Sequence, residues 1–120
     1  MTSRIEAAIQ RALVDWFNKT YCEAMLQATL NENSRHATDM GIVVGITDLI
    51  IFARKDGILH VFFHELKTKK GKLSDSQVDW FRDYYSKKLI SSNTHYEVSY
   101  GLSQAKKEIA EWMLKFIASA

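Results

Sequence analysis

Thr47-Asp48-Leu49-Ile50-Ile51-Phe52 and Ile58-Leu59-His60-Val61-Phe62-Phe63-His64-Glu65-Leu66-Lys67 are two runs of β-branched and aromatic residues on either side of Asp56-Gly57. An Asp-Gly step between such runs signals a two-residue β-hairpin, whose central residues need the positive φ that this pair tolerates. With that loop Lys55 pairs with Ile58, and counting outward along the antiparallel ladder sets Asp48 directly opposite Glu65. Ile50, Phe52, Val61 and Phe63 then share one face while Leu49, Ile51, Phe62 and Leu66 share the other. Both faces are apolar, so the pattern predicts a sheet covered by helices on both sides and excludes a one-sided meander.

Upstream, Ile5, Ala8, Ile9, Ala12, Leu13, Trp16 and Phe17 recur at helical spacing behind Ser3, a fitting N-cap, and predict an amphipathic opening helix. The stretch from Thr20 to Met40 has no clean period; Asn31, Asn33 and Ser34 mark a turn in it, and a strand is only weakly indicated. Downstream, Gly71 breaks the chain and Ser74 opens a helix with Val78, Phe81 and Tyr85 on one face. Tyr96, Val98 and Tyr100 alternate with polar residues as a last strand. After Gly101, Ser103 can cap a last helix whose Ala105, Ile109, Trp112, Met113, Phe116 and Ile117 form a broad apolar stripe.

At 120 residues the chain is expected to form one domain spanning residues 1–120. Its composition, 47% hydrophobic and 25% charged, is that of an ordinary globular protein and favours neither a disordered nor a fibrous class. A formal net charge of +2 says little about nucleic acid, so any such case rests on a local basic patch. Cys22 is the single cysteine, which excludes an internal disulfide framework and a thiolate zinc cluster. The opening segment carries Glu6, Arg11 and Asp15 and lacks the apolar run of a signal peptide or spanning helix. A soluble cytoplasmic protein with no membrane partner is expected.

The hairpin also carries the chemistry. Opposed side chains have Cβ atoms about 5 Å apart, so two carboxylates facing each other are destabilising unless something positive lies between them. Lys67 is two residues beyond Glu65 and on the same face, within reach of that spot. A carboxylate pair at the end of an apolar face is hard to keep ionised without a cation. A divalent metal resolves the conflict, and oxygen ligands of this kind suit Mg²⁺ or Mn²⁺, which retain waters. Lys67 would then meet charge developing on phosphoryl oxygens. The plainer reading makes Asp48 a turn residue and Glu65 and Lys67 a surface pair, and a three-residue loop would shift the register by one.

These residues resemble a known family. Gly41-Ile42-Val43-Val44-Gly45-Ile46-Thr47-Asp48-Leu49-Ile50, Phe63-His64-Glu65-Leu66-Lys67-Thr68 and Gly71-Lys72-Leu73-Ser74-Asp75-Ser76-Gln77 are similar to the virus-type replication-repair nuclease domain, VRR-NUC, of the PD-(D/E)XK nuclease superfamily, in its stand-alone, phage-like form. The resemblance implies an α/β fold with a restriction-endonuclease-like core, a mixed β-sheet flanked by α-helices. It implies hydrolysis of DNA phosphodiesters with Mg²⁺ or Mn²⁺. Asp48 and Glu65 match the metal-binding carboxylates, with the Leu66 backbone carbonyl as a further ligand, and Lys67 matches the catalytic lysine. Glu6 and Gln77 match accessory positions. Each also has a local role open to it, because Ser3-x-x-Glu6 and Ser74-x-x-Gln77 are both capping boxes. Thr47 departs from the proline usual before the aspartate, which touches the local turn more than the chemistry.

Lys69, Lys70 and Lys72 cluster just beyond this centre, where DNA phosphates need countercharge, although a lysine-rich turn is commonly only a solvated loop. His36, His60, His64 and His95 have no zinc-like spacing and read as structural or surface residues. Arg35 and His36 could touch DNA, which no sequence feature tests. Short stand-alone members of the family imply a homodimer acting on branched DNA such as four-way junctions, in a bacterial or phage-infected cell. Trp80, Tyr84 and Tyr85 could supply a dimer surface, with core packing as their other use. The rivals are a flap, end or single-strand nuclease within a repair or replication assembly, a non-catalytic DNA-binding module, and a purely structural partner protein.

Overall fold

In the computed structural model, which describes residues 4–29, 41 and 43–118, Asp56 and Gly57 both take positive φ, 52° and 79°. Lys55 pairs with Ile58 across them, as the two-residue turn predicts. β2 (Leu49–Lys55) and β3 (Ile58–Lys67) run antiparallel from that turn until Leu49 faces His64. β1 (Met25–Ala28) pairs antiparallel with β2, and β4 (Thr94–Tyr100) pairs parallel with β3, so the mixed sheet has the order β1-β2-β3-β4. The parallel pair needs a crossover. It is made by α2 (Asp75–Trp80) and a π-helical continuation over Phe81–Leu89.

Helices cover both faces, as the doubly apolar hairpin requires. On one side Leu13 and Phe17 of α1 (Arg4–Thr20) and Ala105, Ile109, Trp112 and Met113 of α3 (Leu102–Ala118) pack on Leu49, Ile51, Phe62 and Leu66. Each large side chain buried there contributes about 1.5–3 kcal/mol against exposure. On the other side Trp80 and Tyr85 close over Phe63, with Ile46, Ile50, Val61 and Tyr96 around them. Among the described residues no helix is long and apolar enough to cross a membrane.

Several expectations need correction. Of the face expected from Val78, Phe81 and Tyr85, Tyr85 is buried and Phe81 stacks on it at 5.5 Å while remaining 37% exposed, but Val78 is 47% exposed and Trp80 is buried instead. The cause is the π turn, in which bonds run five residues apart, as from the Ile90 N–H to the Tyr85 carbonyl at 2.8 Å. Residues five apart then share a face, which pairs Trp80 with Tyr85. Those two rings are core, so of the aromatic trio only Tyr84 remains at the surface, under the Lys88 ammonium. α3 begins at Leu102, which places Ser103 inside the helix rather than at its cap. β2 starts at Leu49 rather than Thr47 and runs on to Lys55. The weakly indicated strand exists as β1. Ser3, the turn at Asn31, Asn33 and Ser34, Arg35, His36, and the side chains of Phe116 and Ile117 lie outside the described residues.

The loop that delivers Asp48 is pressed against the start of α2. Gly45 has φ +91°, and a Cβ there would lie 2.0 Å from the Ser76 carbonyl oxygen. Gly57 also has positive φ, but nothing stands within 4 Å of its missing Cβ. Gly57→Ala should therefore cost only the left-handed backbone penalty, about 1–2 kcal/mol. Gly45→Ala should cost distinctly more in urea unfolding, because either the loop or α2 must move. Equal losses would mean that the contact with Ser76 is not a constraint.

Candidate active site

Asp48 immediately precedes β2 and is held from both sides. The Thr29 N–H donates to the Asp48 carbonyl at 2.8 Å, and the Thr29 hydroxyl donates to the Thr47 carbonyl. Thr47 is buried and donates its own hydroxyl to the Leu49 carbonyl at 3.2 Å, a bond that a proline at this position could not make. On the other side the Leu66 N–H donates to Asp48 Oδ2 at 3.1 Å. That bond sets the aspartate against β3 where strand pairing with β2 has ended. The Leu66 carbonyl leaves the strand on the same side as its N–H, because the next carbonyl, of Lys67, points the opposite way to the Gly101 N–H at 2.8 Å.

Glu65 is 1% exposed, on the face that α2 covers. Its Oε2 accepts from Gln77 Nε2 at 3.0 Å, and Lys67 Nζ lies 3.8 Å from the same oxygen. Its Oε1 is buried with no hydrogen-bond partner. Burial, and then the neighbouring Asp48, push the Glu65 carboxyl up to about 9, while the Lys67 ammonium pulls the other way. A buried acceptor left unsatisfied costs on the order of 1–3 kcal/mol, so this oxygen is a position that favours an incoming cation or donor.

Gln77 resolves the ambiguity of its capping box by doing both things. Its Oε1 accepts from the Ser74 N–H at 2.8 Å, closing the box at the start of α2, while its Nε2 reaches Glu65. The structure thus brings Asp48, Glu65, Leu66, Lys67 and Gln77 together. Glu6 is half-buried in the first turn of α1. Among the described residues no three acidic, histidine or cysteine side chains converge as a metal cage, so Glu6 does not complete a triad with the pair. Two carboxylates and a carbonyl suit a cation that keeps much of its water, as Mg²⁺ does. Lys69, Lys70 and Lys72 are exposed on the turn after β3.

Sequence reasoning missed a second polar cluster, on the opposite face of β3. His64 Nε2 lies 2.7 Å from Ser99 Oγ, which donates to Glu108 Oε2 at 2.6 Å. His64 and Ser99 are fully buried, and burial followed by nearby His95 pushes the imidazole down to about 4, so it stays neutral. The chain ties β3, β4 and α3 together directly behind Glu65. Histidine inside an apolar strand was the available signal, but its partners are 35 or more residues away.

No family model and no curated protein matches the sequence. The structure, in contrast, is similar to a solved VRR_NUC domain protein with a TM-score of 0.70, covering 97% of this chain and 93% of that one at 15% sequence identity. This chain has the VRR-NUC fold. The expected α/β architecture, a mixed sheet flanked by helices, is therefore what the residues build. At that identity the likeness carries the fold, and activity has to be argued from the site.

The raised Glu65 affinity fixes a pH dependence for the cation-free protein. Folded Glu65 keeps its proton up to about 9, whereas the unfolded side chain loses it above its ordinary 4.5. The unfolded state thus binds fewer protons in that window, and stability falls as pH rises through it. Glu65→Gln cannot ionise. In thermal melts without divalent cation it should match the wild type near the acidic end of the window and exceed it near the alkaline end. A wild-type profile parallel to that of Glu65→Gln would refute the assignment.

Proposed function

We propose that the protein is a Mg²⁺- or Mn²⁺-dependent deoxyribonuclease that hydrolyses phosphodiester bonds. The observation that carries this reading is the buried, unsatisfied Glu65 Oε1 beside Asp48, with Lys67 on the same face. Asp48, Glu65 and the Leu66 carbonyl are the residues that would hold the metal. When bound it supplies a Lewis acid and a water of lowered pKa. Everything else falls to the chain itself. Gln77 engages Glu65 Oε2 and so fixes the rotamer that leaves Oε1 available. Lys67 presents its ammonium to the phosphoryl oxygens on which charge develops. Lys69, Lys70 and Lys72 neutralise flanking phosphates. Glu6 is the accessory acid of this reading, acting from α1.

The finer proposal is a homodimer acting on branched DNA of four-way-junction type. One site cuts one strand, so paired symmetric incisions need two sites related by a twofold axis. Light scattering that finds only monomer at working concentrations would remove the dimer.

The test of the activity is cleavage of labelled four-way junction, flap, duplex and single-stranded DNA with Mg²⁺ or Mn²⁺. Asp48→Asn, Glu65→Gln and Lys67→Ala should each lower the rate at least about 10²–10³-fold, as loss of a group that stabilises the transition state does. Gln77→Ala and Glu6→Gln should cost less, since neither carries the reacting charge. Folded wild type that binds these DNAs and never cuts them would replace the nuclease reading by a DNA-binding module.

A further inference from the structure

A groove of about 570 Å³ opens where β3 and β4 end, between Ile5 and Ile9 of α1, the turn Thr68-Lys69-Lys70, and Tyr100 and Leu102. Its walls are mainly apolar, yet two lysines belong to its lining. Tyr100 is 39% exposed and is the register partner of Lys67 in the parallel pair, so the two residues stand one strand spacing apart, about 5 Å between strands. The Gly101 N–H bond to the Lys67 carbonyl fixes that adjacency. Lys69 is threaded through the same spot: a Cβ at Gly101 would meet its stem at 3.6 Å. A mainly apolar groove whose lining includes a part-exposed tyrosine and two lysines, one strand away from Lys67, matches a ligand that is aromatic and anionic together.

We propose that this groove binds an unpaired nucleobase of the DNA strand that crosses the active site, with Tyr100 as its stacking surface and Lys69 and Lys70 on the adjoining phosphates. The inference rests on the nuclease reading and deepens it by naming the substrate feature recognised. A base inside a continuous duplex is stacked and cannot enter, whereas a base at a junction, flap or single strand can. Tyr100 is thus a specificity-determining residue that selects DNA with an unstacked nucleotide next to the cleaved bond.

The test is equilibrium binding without divalent cation, followed by cleavage. Oligonucleotides carrying 2-aminopurine at an unpaired position, as a single strand and as a flap, are compared with a blunt duplex of the same sequence. Wild type should quench the unpaired probe and prefer it to the duplex. Tyr100→Leu should lose the quench and about tenfold in affinity for the unpaired substrates, the usual scale for one base–aromatic stack, and leave duplex affinity unchanged. Tyr100→Phe keeps the ring and should retain both, and an abasic site in place of the probe should lower wild-type affinity to the level of Tyr100→Leu. Unchanged quench and affinity in Tyr100→Leu, or an equal loss on duplex, overturns the proposal. The two readings fail separately: quench without any cleavage sinks the nuclease and keeps the groove, while cleavage with unaltered substrate preference in Tyr100→Leu sinks the groove and keeps the nuclease.

Discussion

The Leu66 N–H lies two residues past His64, the last β3 residue that pairs with β2, and a strand amide left there without a partner would be costly to bury. The Asp48 carboxylate takes its place in the ladder. A side chain thereby finishes a job that backbone began, and its negative charge is held beside a glutamate that the same strand has already buried. Everything distinctive about the site follows from this bond. It exists only in one register, the register exists only with the two-residue turn, and the turn exists because Asp56 and Gly57 accept positive φ.

The sheet separates two kinds of packing work. The face under α1 and α3 is mostly aliphatic, with the His64–Ser99–Glu108 chain as its polar exception. The face under α2 is aromatic near its middle and charged at its end, where Glu65 and Lys67 continue the row begun by Phe63. Trp80 and Tyr85 cover the middle, and at the end of the same face burial, followed by the neighbouring Asp48, raises the Glu65 carboxyl. Aromatic core and acidic site are therefore one arrangement, with the π turn setting where the rings fall.

Local chemistry made much of this legible from sequence. The Asp-Gly turn is a two-residue signal, and once it is granted, simple alternation delivers the β2–β3 register and the double covering of the sheet; the expected pairing of Asp48 with Glu65 falls just beyond the ladder, which ends with Leu49 opposite His64, and Asp48 instead reaches the Leu66 N–H through its side chain. What stayed hidden was non-local or degenerate. Thr29 holds Asp48 from 19 positions away, and no pattern in the segment around β1 announces it. The π turn brought Trp80 rather than Val78 onto the buried face beside Tyr85, because a 3.6-residue period was assumed where a longer one operates. Gln77 looked like a choice between cap and site only because a sequence shows one letter for a group with two ends.

That doubled use of Gln77 limits substitution in a way that identity scores do not register. The position needs an acceptor for the Ser74 N–H and a donor for Glu65, both at the reach of a three-carbon stem. Glutamate has the reach but would bring a third negative charge and no donor; asparagine has the groups but is one methylene short; lysine has no acceptor. A chain of this fold can thus change most of its letters while a single amide still couples the start of a helix to the orientation of a carboxylate. Such couplings are better sought as triples of atoms than as aligned columns.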